Sequence, residues 1–399
     1  MKLTLRILAV SDEHVYPQSL LPRTLIDIID VVKRYDCEIC LLQPGSTDEE
    51  TDEELFRVHT FIRMPSFFRS FFEVLEKLNE PLFKAIVSSL NPKVYRILFR
   101  LAKSSDLMLC YSLQHSIPVL ITAKLTGKPI VLVGDILYVA YYRKVRRVSP
   151  ILQQMLLTWE RTIEYLVDRI VVWGPDDKEF LVSSGICREK ISVIPLSIDS
   201  GKIQVMSKKG SNELSFSRLR ALKDIGFQII MFHGNLNYGP NKSCSDYIVS
   251  ELAPKLLQRH HNIVFAIVGA SSGNVDCKNQ NIIFTGYVDN LFSYIELADI
   301  GIVPLVSGSG VKNKVLEYFA LSKPVVTTRI GTENLEVKDM VHCIRTDLAS
   351  FPEKISFLLR NQKLMTLLGD NARKYVEQNH LLENYKMFIE LGKSLVRRK

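Results

Sequence analysis

Between Ser307 and Glu317 the chain reads SGSGVKNKVLE, residue types that in this order can hold an anion beside a carboxylate. Gly308 and Gly310, flanking Ser309, let backbone N–H groups come close to a ligand because no side chain stands in the way. The spacing from Val311 onward predicts a helix, whose amino end carries partial positive charge and suits a phosphate or diphosphate. Lys312 and Lys314 add formal charge at that end, and Glu317 lies further in. With phosphates at the turn and ribose hydroxyls at the Glu, the arrangement suits a sugar nucleotide. The plainer reading is an ordinary strand-to-helix turn with a surface Glu.

The turn has an apolar strand on either side, DIGIVPL (Asp299–Leu305) before it and KPVVTT (Lys323–Thr328) after its helix. The same rhythm fills the rest of the second half, through FQIIMFHG, NIVFAIVGA and NIIFTGYV with helices between them. In the first half LRILAVS, CEICLLQ, DLMLCYS, KPIVLVGD, DRIVVWG and ISVIPLSID read as strands, and Leu20–Tyr35 as a helix. The acidic run Asp48–Glu54 reads as a solvated loop or helix start. Continuous Val/Ile/Leu strands alternating with helices imply a parallel sheet covered on both faces. The expectation is an α/β chain of two doubly wound, Rossmann-like parallel-sheet domains facing across a cleft. An N-terminal domain spans 1–200 and a polar linker 201–226. A C-terminal domain follows over 227–375, with a terminal helix over 376–399 packing back over the core. In open parallel sheets ligands bind beyond the carboxyl ends of the strands, which brings the loops at Gly234–Asn241 and Ser307–Val311 into view.

A length of 399 residues favours two cores over one. No apolar run reaches the roughly 18–20 residues of a membrane-spanning helix. The opening MKLTLRILAVSDEH reads as a strand rather than a leader, so a cytoplasmic protein is expected. Seven scattered cysteines argue against a disulfide scaffold, and Cys37 and Cys40, lacking a second pair, read as buried strand residues rather than zinc ligands. The net charge of +8 falls entirely in residues 201–399, with 26 Lys/Arg against 18 Asp/Glu, the half that holds the anion motif.

Five segments occur in order: HGNLNYGPNK (His233–Lys242), AIVGA, FTGYVDNL, ADIGIVPL and GSGVKNKVLEYFALSKPVVTT. Together they resemble the donor domain of GT-B glycosyltransferases of family 4; GKPIVLVGD, LVDRIVVWG and KISVIPLSID match the first half more loosely. The resemblance implies a retaining, metal-independent transfer from a nucleotide-diphosphate sugar, without further cofactor, to a glycan or lipid-linked acceptor. Glu317 matches the second Glu of the family's Glu-x7-Glu motif, expected at the donor ribose, while the first position falls on Ser309. Ser309 or the backbone N–H groups of Gly310 and Val311 would then face the sugar. In place of the family's Arg/Lys pair, Lys242 or Lys314 would neutralise the diphosphate, with Lys314 the catalytic candidate on the donor side. Gly234, Asn235 and Gly308 complete the donor loops, and Gly286, Tyr287 and Val288 would flank the nucleobase. On the acceptor side the family's pattern places Asp135 where a His is usual, with His14 and His115 as weaker candidates.

Residues 61–103 and YYRKVRR (141–147) mix Phe, Leu and Tyr with Arg and Lys, and are read either as a peripheral membrane contact or as helices covering the first sheet. A nucleotide-sugar epimerase and a non-enzymatic nucleotide-sugar-binding protein are alternative functions on the same fold. Nucleic-acid binding lacks a stacking platform or basic recognition helix. If Asp135 serves the acceptor, Asp135→Asn abolishes transfer while donor affinity, measured by calorimetry, is retained; wild-type turnover in the variant removes it from the reaction.

Overall fold

The structure, a computed structural model, describes residues 5–10, 23–35, 37–45, 50–52, 57–62, 92–111, 116–133, 154, 158, 162–271, 279–308 and 310–397. The chain divides into two compact units, Met1–Ser197 with Leu382–Lys399, and Ile198–Leu381.

The first unit is built on β1 (Arg6–Val10), β2 (Glu38–Gly45), β3 (Glu50–Asp52), β4 (Arg57–Ile62), β5 (Leu107–Cys110), β6 (Ile130–Val133), β7 (Arg169–Val172) and β8 (Ile191–Val193). Their spatial order is β3-β4-β2-β1-β5-β6-β7-β8, parallel throughout except for the antiparallel β3–β4 pair. The central strands are short apolar runs buried on both faces, as a sheet covered on each side requires. The acidic segment expected to be a loop or helix start supplies β3. Its charges are tolerated because it is an edge strand, joined to the sheet on one side only. Residues 61 and 62, expected to open a basic helical stretch, instead finish β4, and Pro92–Ser104, at the end of that stretch, is a helix. The segments 63–91 and 141–147 lie outside the described residues.

The last helix, Lys386–Val396, belongs to this unit. A Cβ on Gly392 would sit 2.9 Å from the end of the Leu107 side chain and 3.0 Å from that of Leu5, so the bare glycine lets the helix lie close against both. Tyr385 and Phe388 pack edge-on against Trp173, and the Tyr385 hydroxyl accepts from the Ser197 N–H at 2.9 Å.

The second unit holds β9 (Gln228–His233), β10 (Ile263–Val268), β11 (Ile282–Gly286), β12 (Ile300–Val303), β13 (Val325–Thr327) and β14 (Ile344–Arg345). All are parallel, in the order β11-β10-β9-β12-β13-β14, the 3-2-1-4-5-6 arrangement of a doubly wound dinucleotide-binding sheet. Residues 201–226 are not a linker. They fold as the helices Ser200–Ser207 and Leu214–Asp224 and belong to this unit. Their polar sequence hides their anchors: Asn290 Nδ2 donates to the Met206 carbonyl at 2.9 Å, and Ser293 Oγ to that of Gly210 at 2.9 Å. Phe216 stacks edge-on to Tyr294, whose hydroxyl also bonds Ser215 and Glu213. The helix Gln362–Asn379 runs through the expected boundary at 375 and ends inside this unit.

The helix Asn313–Ala320 is seated by one close approach. Tyr318, fully buried, lays its ring where a Cβ on Gly301 of β12 would stand, 2.8 Å away, and donates its hydroxyl to the Met231 carbonyl of β9 at 2.8 Å. Gly301→Ala forces that ring outward, and an overpacked core loses about 1–3 kcal/mol. Denaturant unfolding of the variant is expected to show a loss in this range, and an unchanged midpoint contradicts the close fit.

Candidate functional site

β9 and β12 are neighbours in the sheet although β10 and β11 lie between them in sequence, so the strand order reverses between these two. Ligands of open α/β sheets bind in the crevice outside the carboxyl ends at such a reversal. A cavity of about 310 Å³ lies there, bordered by the turn after β9, the turn after β12 and the start of helix Asn313–Ala320.

Two lysines supply its charge. Lys312 is only 8% exposed and donates to the Gly310 carbonyl at 2.5 Å. Lys314 donates to Asn241 Oδ1 at 2.7 Å and stands 4.4 Å above the Phe232 ring. Burial lowers the Lys314 pKa to about 8, and the charge on Lys312 acts in the same direction. No side chain caps the amino end of the helix, which adds its partial positive charge to the two ammonium groups. The arrangement offers a diphosphate a cationic, largely desolvated seat, where electrostatic interactions are stronger than in bulk water.

Glycines make the seat possible. At Gly234, with φ of 154°, a Cβ would stand 2.7 Å from Asn241 Nδ2 and 3.0 Å from Lys314 Nζ, in the space where those two groups meet. A Cβ on Gly269, after β10, would fall 2.0 Å from the Gly234 carbonyl oxygen, so the two strand ends touch through backbone alone. At the other side of the cavity the Glu317 side chain, 13% exposed, lies 3.6 Å from Nε2 of the buried His233. The His233 ring packs on Tyr318 with centroids 4.9 Å apart, and burial together with Lys314 lowers its pKa to about 3.

Of the residues expected from sequence, Gly234, Gly308, Val311, Lys314 and Glu317 border this one cavity, and Gly310 joins them through Lys312. Asn235 is exposed and acts through its carbonyl, which accepts from Asn241 Nδ2 at 2.9 Å. Lys242 is not brought to the cavity: it lies on the exposed face of helix Gly239–Tyr247, 2.7 Å from Asp246. Gly286 ends β11, beyond β10, and Tyr287 and Val288 follow it; the Gly286 carbonyl accepts the Gly269 N–H at 3.0 Å, and Tyr287 is 65% exposed. Ser309, Asp135, His14 and His115 lie outside the described residues. Asn241 was missed. Its one sequence signal is Gly-Pro opening a helix straight after β9, at the second turn that flanks the strand reversal.

The lowered Lys314 pKa carries a pH dependence. A bound diphosphate favours the ammonium and raises that pKa, so affinity is flat from about pH 7, above the titration of the ligand's own terminal phosphate, to pH 8. It falls as pH rises above 8, by up to about tenfold per unit. Calorimetry with UDP as probe is expected to show this slope in the wild type, and weaker, pH-independent binding in Lys314→Met; a flat wild-type profile between pH 8 and 9 contradicts it.

Residues 227–361 match the family model described as glycosyl transferases group 1. YtcC of Bacillus subtilis (strain 168), named as a candidate glycosyltransferase, is 26% identical over 170 residues; the match covers 38% of this chain and 41% of the length of that relative. Among solved structures, Anabaena HepE in complex with UDP and glucose superposes with a TM-score of 0.68 at 16% identity, covering 98% of this chain and 99% of HepE. A glycosyltransferase from Rickettsia africae gives 0.70 at 14% identity, over 99% and 100% of the two chains. Sucrose-phosphate synthase from Thermosynechococcus elongatus gives 0.67 at 14%, over 99% and 100%. The chain thus shares the GT-B fold of these solved structures, and its residues 227–361 match the glycosyl transferases group 1 model.

Proposed function

We propose that this chain is a retaining glycosyltransferase of the family 4 type, moving a sugar from a nucleotide-diphosphate sugar to a hydroxyl of a glycan or lipid-linked acceptor. The observation that carries the reading is the cavity at the strand reversal, where Lys312, Lys314 and an uncapped helix end stand opposite the Glu317 carboxylate, inside the matched domain. Negative charge grows on the departing diphosphate as the glycosidic bond breaks. Cations fixed in place before reaction stabilise that charge without reorganising. The chain's own ammonium groups would do this without a metal or other cofactor. Glu317 would accept from the ribose hydroxyls and so set the distance from nucleoside to reacting sugar.

HepE was crystallised with UDP-glucose, which makes UDP-sugars the first donors to try. Acceptor chemistry is assigned to Asp135, with His14 and His115 as alternatives. A peripheral contact with a membrane is supported by Arg96, Arg100 and Lys103, exposed at helical spacing on Pro92–Ser104. No helix among the described residues is long and apolar enough to cross a membrane.

A thermal-shift screen with UDP-, GDP- and dTDP-sugars is expected to raise the melting temperature with at least one of them. Glu317→Ala should weaken that donor about 10- to 100-fold, the worth of hydrogen bonds to a charged group. Unchanged affinity across the panel removes Glu317 from the site, and no stabilisation by any member overturns the proposed function.

A further inference from the structure

We propose that His233 is a positioning residue of this site, donating its Nε2–H to Glu317 and holding that carboxylate toward the cavity. The proposal rests on the function given above and adds a residue that acts through Glu317 rather than on the ligand.

His233 ends β9 and is 5% exposed. Its Nε2 is enclosed and has no hydrogen-bond partner, while Oε2 of Glu317 lies 3.6 Å away, just beyond bonding distance. A buried ring N–H left unsatisfied costs about 1–3 kcal/mol, so a small turn of the Glu317 side chain that closes the gap is favoured. The two groups reach each other from fixed positions. His233 is held in the β9 ladder and against the Tyr318 ring, and Glu317 is the residue before Tyr318 on the seated helix.

The charge state suits this role. The charged groups that bear on His233 are Lys314 and Glu317 on the helix; the Tyr318 hydroxyl is committed to the Met231 carbonyl. Burial and the Lys314 charge lower the ring's pKa to about 3 and keep it neutral, outweighing a backbone hydrogen bond at Lys314 that acts the other way. An imidazolium would bind the carboxylate as an ion pair and compete with a ligand. A neutral N–H engages one oxygen without cancelling the carboxylate's charge, which stays available to hydroxyl protons. A neutral ring carries its single proton on one nitrogen, so the proposal requires the Nε2–H tautomer.

Two measurements on the full chain test it. ¹⁵N NMR of the histidine rings is expected to show His233 neutral and Nε2-protonated from pH 5 to 8, with its resonance moved by Glu317→Gln. An Nδ1–H tautomer, or titration near pH 6.5, overturns the proposal without any ligand present. Calorimetry then compares UDP with 2′,3′-dideoxy-UDP in the wild type, His233→Leu and His233→Gln. His233→Leu is expected to weaken UDP about tenfold and the dideoxy compound little, so the preference for ribose shrinks. His233→Gln, with an N–H at similar reach, restores most of that preference, which a purely packing role would not do. A His233→Leu chain that keeps the wild-type preference, or a Gln chain that behaves as Leu does, counts against the tether. If the wild type binds no nucleoside diphosphate, the proposed function fails, while the ring's tautomer still decides the tether.

Discussion

Everything at the candidate site depends on how helix Asn313–Ala320 sits on the sheet, and that is set by Tyr318 lying in the space a side chain at Gly301 would fill. The same ring donates its hydroxyl to the Met231 carbonyl, so the helix is fixed both across the sheet and along it. Lys312 and Lys314 project from the amino end of that helix and Glu317 from its next turn. Their separations are therefore properties of one rigid element rather than of a loop. Thr327 and Thr328 brace the neighbouring turn by donating to the Val303 and Leu305 carbonyls, which holds the exit from β12.

The electrostatics follow from this rigidity. Two lysines held close together with little water destabilise each other, and an amide oxygen and an aromatic face at Lys314 and a carbonyl at Lys312 offset part of this. Such partners stabilise an ammonium without neutralising it. The positive potential is thus retained for an incoming anion, and it is concentrated at the one place where the sheet's topology leaves a crevice.

Much of this was legible in the sequence because it is local. The strands are continuous apolar runs, and the glycine turn, Lys314 and Glu317 fall within a dozen residues of one another. What was not legible depends on distant partners. Residues 201–226 look like a linker because their anchors, Asn290, Ser293 and Tyr294, lie some eighty positions away. Asn241 meets Lys314 across 73 residues, so the sequence brings its loop into view but not the pairing. Lys242 carries the charge, yet successive helical residues point about 100° apart, so when Asn241 faces the cavity Lys242 faces water. β3 escaped notice because charged residues are permitted at a sheet edge and are rare within one.

The route of the chain through the two units has a consequence for the order in which they are completed. Residues 198–381 are contiguous and closed at their base, where Ile198 bridges Leu381 and its N–H donates to the His380 carbonyl at 3.0 Å. The first unit still lacks Tyr385, Phe388 and Gly392 when the second is fully synthesised. During translation, Trp173 and the edges of Leu5 and Leu107 must wait for a helix that arrives after an entire second unit has been made. The unit that begins the chain is therefore the last to be finished.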